Sequence, residues 1–130
     1  DALNELGKAI KGANVFVMGV AYKRDIDDVR ESPALDVMAL LLKKGARVTY
    51  HDPWVPHIDG EHWDGGQNMS STPYSADAVA QADCVVILTD HSAFDYHAIV
   101  EGARAVVDTR NAVKFASPKV FKLGAPSPRT

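Results

Sequence analysis

The sequence has little of several features that mark whole classes of protein. It has 1 cysteine in 130 residues, which excludes an internal disulfide and fits a reducing cytoplasm. Its apolar runs are too short to cross a bilayer, and residues 1–5 lack the basic start and apolar stretch of a signal peptide. The net charge is −3 with both signs interspersed, so no basic stripe for nucleic acid and no acidic tail is present. These absences predict a cytoplasmic globular protein that binds neither nucleic acid nor a membrane.

The apolar segments that are present alternate between strand patterns and helix patterns. Short β-branched apolar runs predict buried strands, and they lie at 15–20, 47–51, 84–88, 105–108 and 120–123, with a shorter one near 68–71. Helical spacing predicts helices at 34–44, 75–82 and 94–101. The first of these helices begins with Ser32 as N-cap and Pro33 as its first residue, and its apolar surface suggests burial on nearly all sides. This order predicts a three-layer α/β fold, a Rossmann-like open parallel sheet with helices on both faces.

The chain divides into one domain with two short flanking segments. Residues 1–12 have helical character but too few turns to stand alone, so we interpret them as the end of a longer helix that begins before this chain. Residues 13–124 form the predicted domain. Residues 125–130 are rich in proline and polar groups and are expected to be a flexible tail.

Candidate binding residues follow the predicted strands, because ligands of open parallel sheets gather at the carboxyl ends of the strands. The first strand-to-helix turn, residues 19–24, keeps one glycine of the G-x-G-x-x-G dinucleotide fingerprint and lacks the other two. A bound phosphate would therefore be met by side chains, and the cations available at these turns are Lys23, Arg24, Arg30 and Arg110. The alternative is that these cations are solvated loop charges that pair with nearby acidic residues, namely Asp25, Asp27, Asp28 and Glu31.

Other polar residues favour structural roles. A metal site is not predicted, because the spacing of the candidate ligands fits no metal motif; these candidates are His51, Asp52, His57, Asp59, Glu61 and His62. Asp52 precedes Pro53 and is interpreted as a turn residue, with contact to a ribose as the alternative. His91 follows a strand and is a minor candidate for ligand contact. Cys84 lies inside an apolar strand, where a thiol is unreactive.

Four blocks of this sequence resemble the C-terminal domain of the UDP-glucose/GDP-mannose dehydrogenase family. They are residues 19–33 (GVAYKRDIDDVRESP), 50–53 (YHDP), 82–89 (ADCVVILT) and 107–111 (VDTRN), and the resemblance extends over about residues 1–123. Within the family, residues 50–56 and 90–95 look most like enzymes that oxidise UDP-N-acetylglucosamine or UDP-N-acetylmannosamine. The resemblance therefore names a family but leaves the sugar open.

The resemblance implies a binding role within a larger enzyme. Enzymes of this family use NAD to oxidise the C6 alcohol of a UDP-sugar to a carboxylate, with an N-terminal NAD-binding domain and a central dimerisation domain that this chain lacks. By resemblance, Tyr22, Lys23 and Arg110 contact the UDP-sugar and Arg30 reaches toward NAD. The family's catalytic residues lie upstream, so no catalytic residue is assigned here and the isolated chain is expected to be inactive. The alternatives are a free-standing nucleotide-binding regulatory module and a complete small Rossmann-like enzyme.

Overall fold

A parallel sheet forms from the β-branched runs of the sequence. The computed structural model describes residues 10–21 and 32–122. The strands of its parallel sheet are β1 (Asn14–Met18), β2 (Arg47–His51), β5 (Cys84–Ile87), β6 (Val106–Asp108) and β7 (Val120–Lys122). These five strands lie side by side in the order β2-β1-β5-β6-β7. Two further strands, β3 (His57–Ile58) and β4 (Met69–Ser70), form a separate antiparallel pair. The predicted parallel sheet is confirmed.

Three helices among the described residues cover the two faces of the sheet. They are α1 (Pro33–Lys43), α2 (Ala76–Gln81) and α3 (Tyr96–Gly102), and a short 3-10 turn occupies Gly60–His62. Each helix is capped by the side chain of the residue before it; the Ser32 hydroxyl, for example, accepts a hydrogen bond from Ala34 N at 3.2 Å. Gly45 ends α1 with a φ of 94°, which is the left-handed conformation expected after a helix. None of the helices within 10–21 and 32–122 is long and apolar enough to span a membrane.

Two apolar clusters form because successive strand residues point to opposite faces of the sheet. Val15 and Val17 of β1 pack with Met38 of α1 in one cluster. Phe16 and Met18 of the same strand pack in the other, with side chains from α2 and α3. The sheet is therefore a middle layer between helices, as the three-layer prediction requires.

Helix α1 is less buried than its composition suggested. The sequence predicted burial on nearly all sides, and that prediction is wrong for the outer face, where Leu40 is 51% exposed and Val37 is 37% exposed. The helix has a single sheet to pack against, so the stripe formed by Ala34, Leu35 and Met38 enters the core. Within the part of the chain that the structure describes, no element covers the opposite side.

Two tryptophans lie in the irregular stretch between β2 and β4, and they differ in burial. Trp63 is 9% exposed, belongs to the cluster beneath α1, and its Nε1–H donates to the carbonyl of Gln67 at 2.8 Å. Trp54, in contrast, is 46% exposed. The sequence alone did not decide which of these two side chains packs on the core.

Candidate functional site at the carboxyl edge of the sheet

The last residues of the five parallel strands lie in one row. Strand register aligns His51 with Met18, Met18 with Ile87, Ile87 with Asp108 and Asp108 with Lys122. We call this row and the residues that directly follow it the carboxyl edge. It brings together segments that are far apart in the sequence, and in folds of this type it is where ligands bind.

Asp108 shapes the loop that carries Arg110. Its buried carboxylate accepts hydrogen bonds from the backbone N–H groups of Arg110 (3.0 Å), Ala112 (3.1 Å) and Val113 (2.8 Å). It also lies 3.1 Å from the ammonium of Lys122 on β7. Burial alone would raise the pKa of Asp108, but these amide bonds and Lys122 outweigh it and hold the pKa below its usual value. The carboxylate is therefore charged at neutral pH and keeps the loop folded.

Arg110 itself is exposed on this loop, two residues after the end of β6. Asn111, which follows it, has a φ of 54°, a left-handed conformation that asparagine tolerates better than most residues. Nζ of Lys122 contacts both Oδ1 of Asn111 and the carbonyl oxygen of Val113. The loop backbone is thus held from several directions while the guanidinium is left at the protein surface.

Asp52 joins the ends of three strands. It directly follows β2 and is 1% exposed. Its Oδ2 accepts hydrogen bonds from the N–H groups of Val20 (2.8 Å) and Ala21 (3.0 Å), which follow β1, and from Nε2 of His91 (2.8 Å), which follows β5. Oδ1 accepts from Trp54 N at 2.8 Å, which is the turn geometry predicted for this aspartate. The ribose alternative is not compatible with so deeply buried a carboxylate.

The charge of Asp52 follows from its hydrogen bonds. Burial alone would raise the pKa of this carboxyl group, but the bonds from His91, Val20 and Trp54 outweigh it, so the pKa lies below its usual value. A carboxylate can only accept hydrogen bonds. Nε2 of His91 must therefore carry the proton that Asp52 accepts.

The turn after β1 is held on its other side by Thr89. The Thr89 hydroxyl donates to the carbonyl of Ala21 at 2.9 Å. Gly19 opens the turn with a φ of 88°, and a Cβ there would lie 2.6 Å from the backbone oxygen of Thr89. Glycine is required here on both counts, since the backbone is left-handed and no space exists for a side chain. The surviving glycine of the fingerprint thus serves close packing between β1 and β5.

These contacts explain why the dinucleotide fingerprint is absent. In a dinucleotide-binding domain, the N–H groups of this turn approach a pyrophosphate. Here the N–H groups of Val20 and Ala21 are satisfied by the Asp52 carboxylate, an anion of the protein itself. The described residues of this turn therefore do not fit the pyrophosphate of NAD.

Several aromatic rings lie beside the hydrogen-bonded pair of Asp52 and His91. The Phe94 ring lies 5.3 Å from the His91 ring, 6.0 Å from the His51 ring and 6.0 Å from the Tyr96 ring, measured between centroids. Nδ1 of His51 lies 2.8 Å from the carbonyl oxygen of Thr72. His91 is fully buried in this surrounding. It is consequently a structural partner of Asp52 and not an exposed ligand contact.

Cys84 lies away from the carboxyl edge, at the start of β5, and the six metal candidates do not all meet at one place. Cys84 begins β5, is 1% exposed, and burial raises the pKa of its thiol to about 11. Of the six metal candidates, Asp59, Glu61 and His62 bring potential ligand atoms within 4.8 Å of one another on the exposed surface. Exposed polar groups of this kind are common without an ion, and His51 and Asp52 are engaged elsewhere.

The structure places part of the predicted site. Arg110 lies at the carboxyl edge, as expected for a residue after β6. Tyr22, Lys23 and Arg30, together with Arg24, lie outside the described residues. Their assignment as substrate or cofactor contacts stays a prediction, as does that of Arg110.

Residues 16–115 match the model of the UDP-glucose/GDP-mannose dehydrogenase family, UDP binding domain. The chain belongs to this family. The matched region contains β2, β5, β6 and the last three residues of β1, together with both carboxylates that organise the carboxyl edge.

Curated relatives of this UDP-binding domain are much longer than the domain. It is 37% identical over 92 residues to the UDP-N-acetyl-D-mannosamine dehydrogenase of Methanococcus maripaludis, covering 71% of this chain and 19% of the relative. It is 36% identical over 88 residues to the UDP-glucose 6-dehydrogenase of Rhizobium meliloti, covering 68% of this chain and 20% of the relative. The chain thus spans about a fifth of the length of these relatives.

Solved structures agree with the fold of the UDP-binding domain. The UDP-N-acetyl-mannosamine dehydrogenase of S. aureus matches with a TM-score of 0.66 and 31% identity, over 95% of this chain and 28% of that one. The UDP-D-ManNAc dehydrogenase of Pyrococcus horikoshii matches with a TM-score of 0.69 and 25% identity, over 94% and 28% of the two chains. The predicted family and fold are therefore confirmed, and both structures contain a large part that this chain does not.

Sequence reasoning underestimated four polar residues of the carboxyl edge: Asp52, Thr89, His91 and Asp108. Each one ends a strand or follows a strand within four residues, so their positions were visible in the sequence. The missing information was burial, because a polar residue at a strand end is either exposed to ligand or enclosed by neighbouring loops.

Proposed function

We propose that this chain binds the UDP moiety of a nucleotide sugar at the carboxyl edge. It would act as the substrate-nucleotide domain of an NAD-dependent UDP-sugar 6-dehydrogenase, which oxidises the C6 alcohol to a carboxylate. The domains that hold NAD and the catalytic residues would belong to the remainder of such an enzyme, consistent with the 19% and 20% shares of the curated relatives that are covered. Polysaccharide precursors are the products expected of such an enzyme.

The observation that carries this proposal is the presentation of Arg110. Its loop is folded around the Asp108 carboxylate, so its backbone position is set before any ligand arrives. A guanidinium at the surface can bind a phosphate through two parallel hydrogen bonds. Little ordering of the loop is then needed on binding, which favours affinity.

A second cation would reach the same ligand from the turn after β1. Strand β5 lies between β1 and β6, so the ends of β1 and β6 are about 10 Å apart at the usual strand spacing. Long lysine and arginine side chains can close such a gap from both sides of a diphosphate. Lys23 follows Ala21 by two residues in the sequence, and Tyr22 lies between them. We assign Tyr22 and Lys23 to the substrate and Arg30 to NAD bound by another domain.

The described residues do not support catalysis by this chain alone. A catalytic thiol must be accessible and partly ionised, whereas Cys84 is buried with a raised pKa. The turn after β1 does not fit NAD, because Asp52 occupies its amides. We therefore expect no reduction of NAD when the chain is incubated with UDP-sugars, measured as absorbance of the reduced cofactor.

Titration of UDP into isotopically labelled chain tests the proposed site. We expect amide shifts that cluster at 21–24 and 109–111, with a dissociation constant on the order of 0.1 to several millimolar, since part of the site would belong to other domains. Lys23→Ala and Arg110→Ala should each weaken binding several-fold, because each removes one charge-assisted contact.

Arg104→Ala is the matched control for Arg110→Ala. Arg104 is also exposed, but it precedes β6 at the opposite edge of the sheet, where it pairs with Asp83 at 3.3 Å. Its loss should leave UDP affinity unchanged. Equal effects of the two arginine variants, or shifts that cluster around His57–His62 instead, would contradict the proposed site.

A further inference from the structure

The buried Asp52–His91 pair is connected to the predicted UDP site through one turn. Asp52 accepts the N–H groups of Val20 and Ala21, while Thr89 donates to the carbonyl of Ala21 at 2.9 Å. Both backbone polar groups of Ala21 are thus held by side chains that come from other strand ends. The predicted substrate residues Tyr22 and Lys23 are the next two in the sequence.

We infer that Asp52, His91 and Thr89 are positioning residues that set the turn after β1 for UDP binding. This inference rests on the proposed UDP site. The three side chains are 1%, 0% and 4% exposed, so none of them touches a ligand. They act through the backbone of Ala21, from which the chain continues to Tyr22 and Lys23.

The side-chain contacts to Val20 and Ala21 are not needed to hold β1 in the sheet. Parallel pairing already holds β1 between β2 and β5 through the ladder that ends at Met18. The side-chain contacts begin beyond that ladder, at Val20 and Ala21, where the backbone has left the sheet. A buried carboxylate is costly unless several donors surround it. Here the donors include two N–H groups of the turn. The same hydrogen bonds therefore stabilise the carboxylate and orient the turn.

His91 is the side chain at which this inference can be tested most cleanly. His91→Leu removes the donor to Asp52, whereas His91→Gln replaces it with an amide N–H that can occupy a position near Nε2. We expect His91→Leu to raise the dissociation constant of UDP about fivefold, which corresponds to about 1 kcal/mol. His91→Gln should restore the dissociation constant to within about twofold of the unmodified chain. Amide hydrogen exchange at Val20 and Ala21 should be faster in His91→Leu and restored in His91→Gln.

A matched control separates positioning from loss of stability. Val79→Ala truncates a side chain that is 1% exposed in α2, in the cluster on the face of the sheet opposite α1. It should lower the melting temperature and leave the UDP dissociation constant within about twofold, when all variants are titrated at a temperature where they are folded. Thr89→Val provides a second test if His91→Leu does not fold. It removes the hydroxyl donor to Ala21 with little change of shape and should weaken UDP binding about threefold.

Each outcome has one meaning. Weaker binding in His91→Leu or Thr89→Val, together with rescue by His91→Gln and no effect of Val79→Ala, supports the inference. If UDP binds the unmodified chain and these variants equally well, or if Val79→Ala weakens binding as much as they do, the inference is overturned and the UDP site stands. Absence of UDP shifts in the unmodified chain itself would overturn the proposed function, and the inference with it.

Discussion

Substitution of Gly19 by alanine offers a direct test of how closely β1 and β5 approach each other. The new Cβ would lie 2.6 Å from the backbone oxygen of Thr89 and 2.7 Å from the Cβ of Thr89. Leu88, directly before Thr89, donates its N–H to the carbonyl of Met18 at 3.0 Å, so the two strand ends are tied together at this point. The backbone of Thr89 therefore cannot withdraw without loss of that hydrogen bond.

Gly12 provides the matched control. Its φ is 84° against 88° for Gly19, so alanine suffers similar backbone strain at both positions, whereas a Cβ at Gly12 meets nothing within 4 Å. The left-handed conformation costs an L-residue roughly 1–2 kcal/mol, partly offset by about 0.4–1 kcal/mol from the stiffer unfolded chain. Forcing extra atoms into a packed region costs a further ~1–3 kcal/mol. Gly19→Ala should therefore destabilise the chain by about 1–3 kcal/mol more than Gly12→Ala does.

Urea unfolding of the two variants, followed by circular dichroism, measures this difference directly. A stability gap of this size is a large part of the total for a domain, about 5–15 kcal/mol, so it is well above the error of the method. Comparison of the two variants cancels the common backbone strain and the effect on the unfolded chain. If Gly19→Ala were as stable as Gly12→Ala, the close contact between Gly19 and Thr89 would be refuted.

Three further predictions follow from buried ionisable groups. Because the pKa values of Asp52 and Asp108 are lower in the folded chain than in the unfolded one, their stabilisation is complete above about pH 4, near the unfolded value of Asp, and is lost as the pH falls further toward the folded values. The urea midpoint should therefore drop below that pH and the drop should be smaller in Asp108→Asn, whereas a midpoint independent of pH would contradict these shifts. Cys84, with a pKa of about 11, should react with a chromogenic disulfide reagent at pH 8 in urea but not in the folded chain, and rapid reaction of the folded chain would show that the thiol is accessible. Lys122→Met should destabilise the chain by about 1–3 kcal/mol, because it removes the ammonium from the buried Asp108 carboxylate, and the shifts caused by UDP at 109–111 should weaken; an unchanged urea midpoint would indicate that the amides alone satisfy Asp108.

The elements of this fold could be predicted from the sequence because each depends mainly on local pattern. Apolar β-branched runs can be buried on both faces, which identified all five strands of the sheet within a few residues. Ser32 and Pro33 identified the start of α1, because capping depends on adjacent residues. The family could also be identified, since the long motif at 19–33 is a property of the sequence itself.

The exposed face of α1 could not be predicted, because apolar residues face solvent wherever no second element covers them. Val37 and Leu40 have the same hydrophobic character as Leu35 and Met38, which enter the core. The helical pattern therefore predicts the helix and not the number of its partners.

Apart from the local turn at Asp52, which the sequence predicted, the roles of the polar residues at the carboxyl edge were decided by tertiary structure. Asp52 and His91 are 39 positions apart, and Asp52 and Val20 are 32 apart. They meet because the sheet places β1 between β2 and β5, so that the residues following three separate strands converge on one point. Whether a carboxylate at a strand end faces a ligand or the protein's own amides depends on this convergence, which no local pattern records.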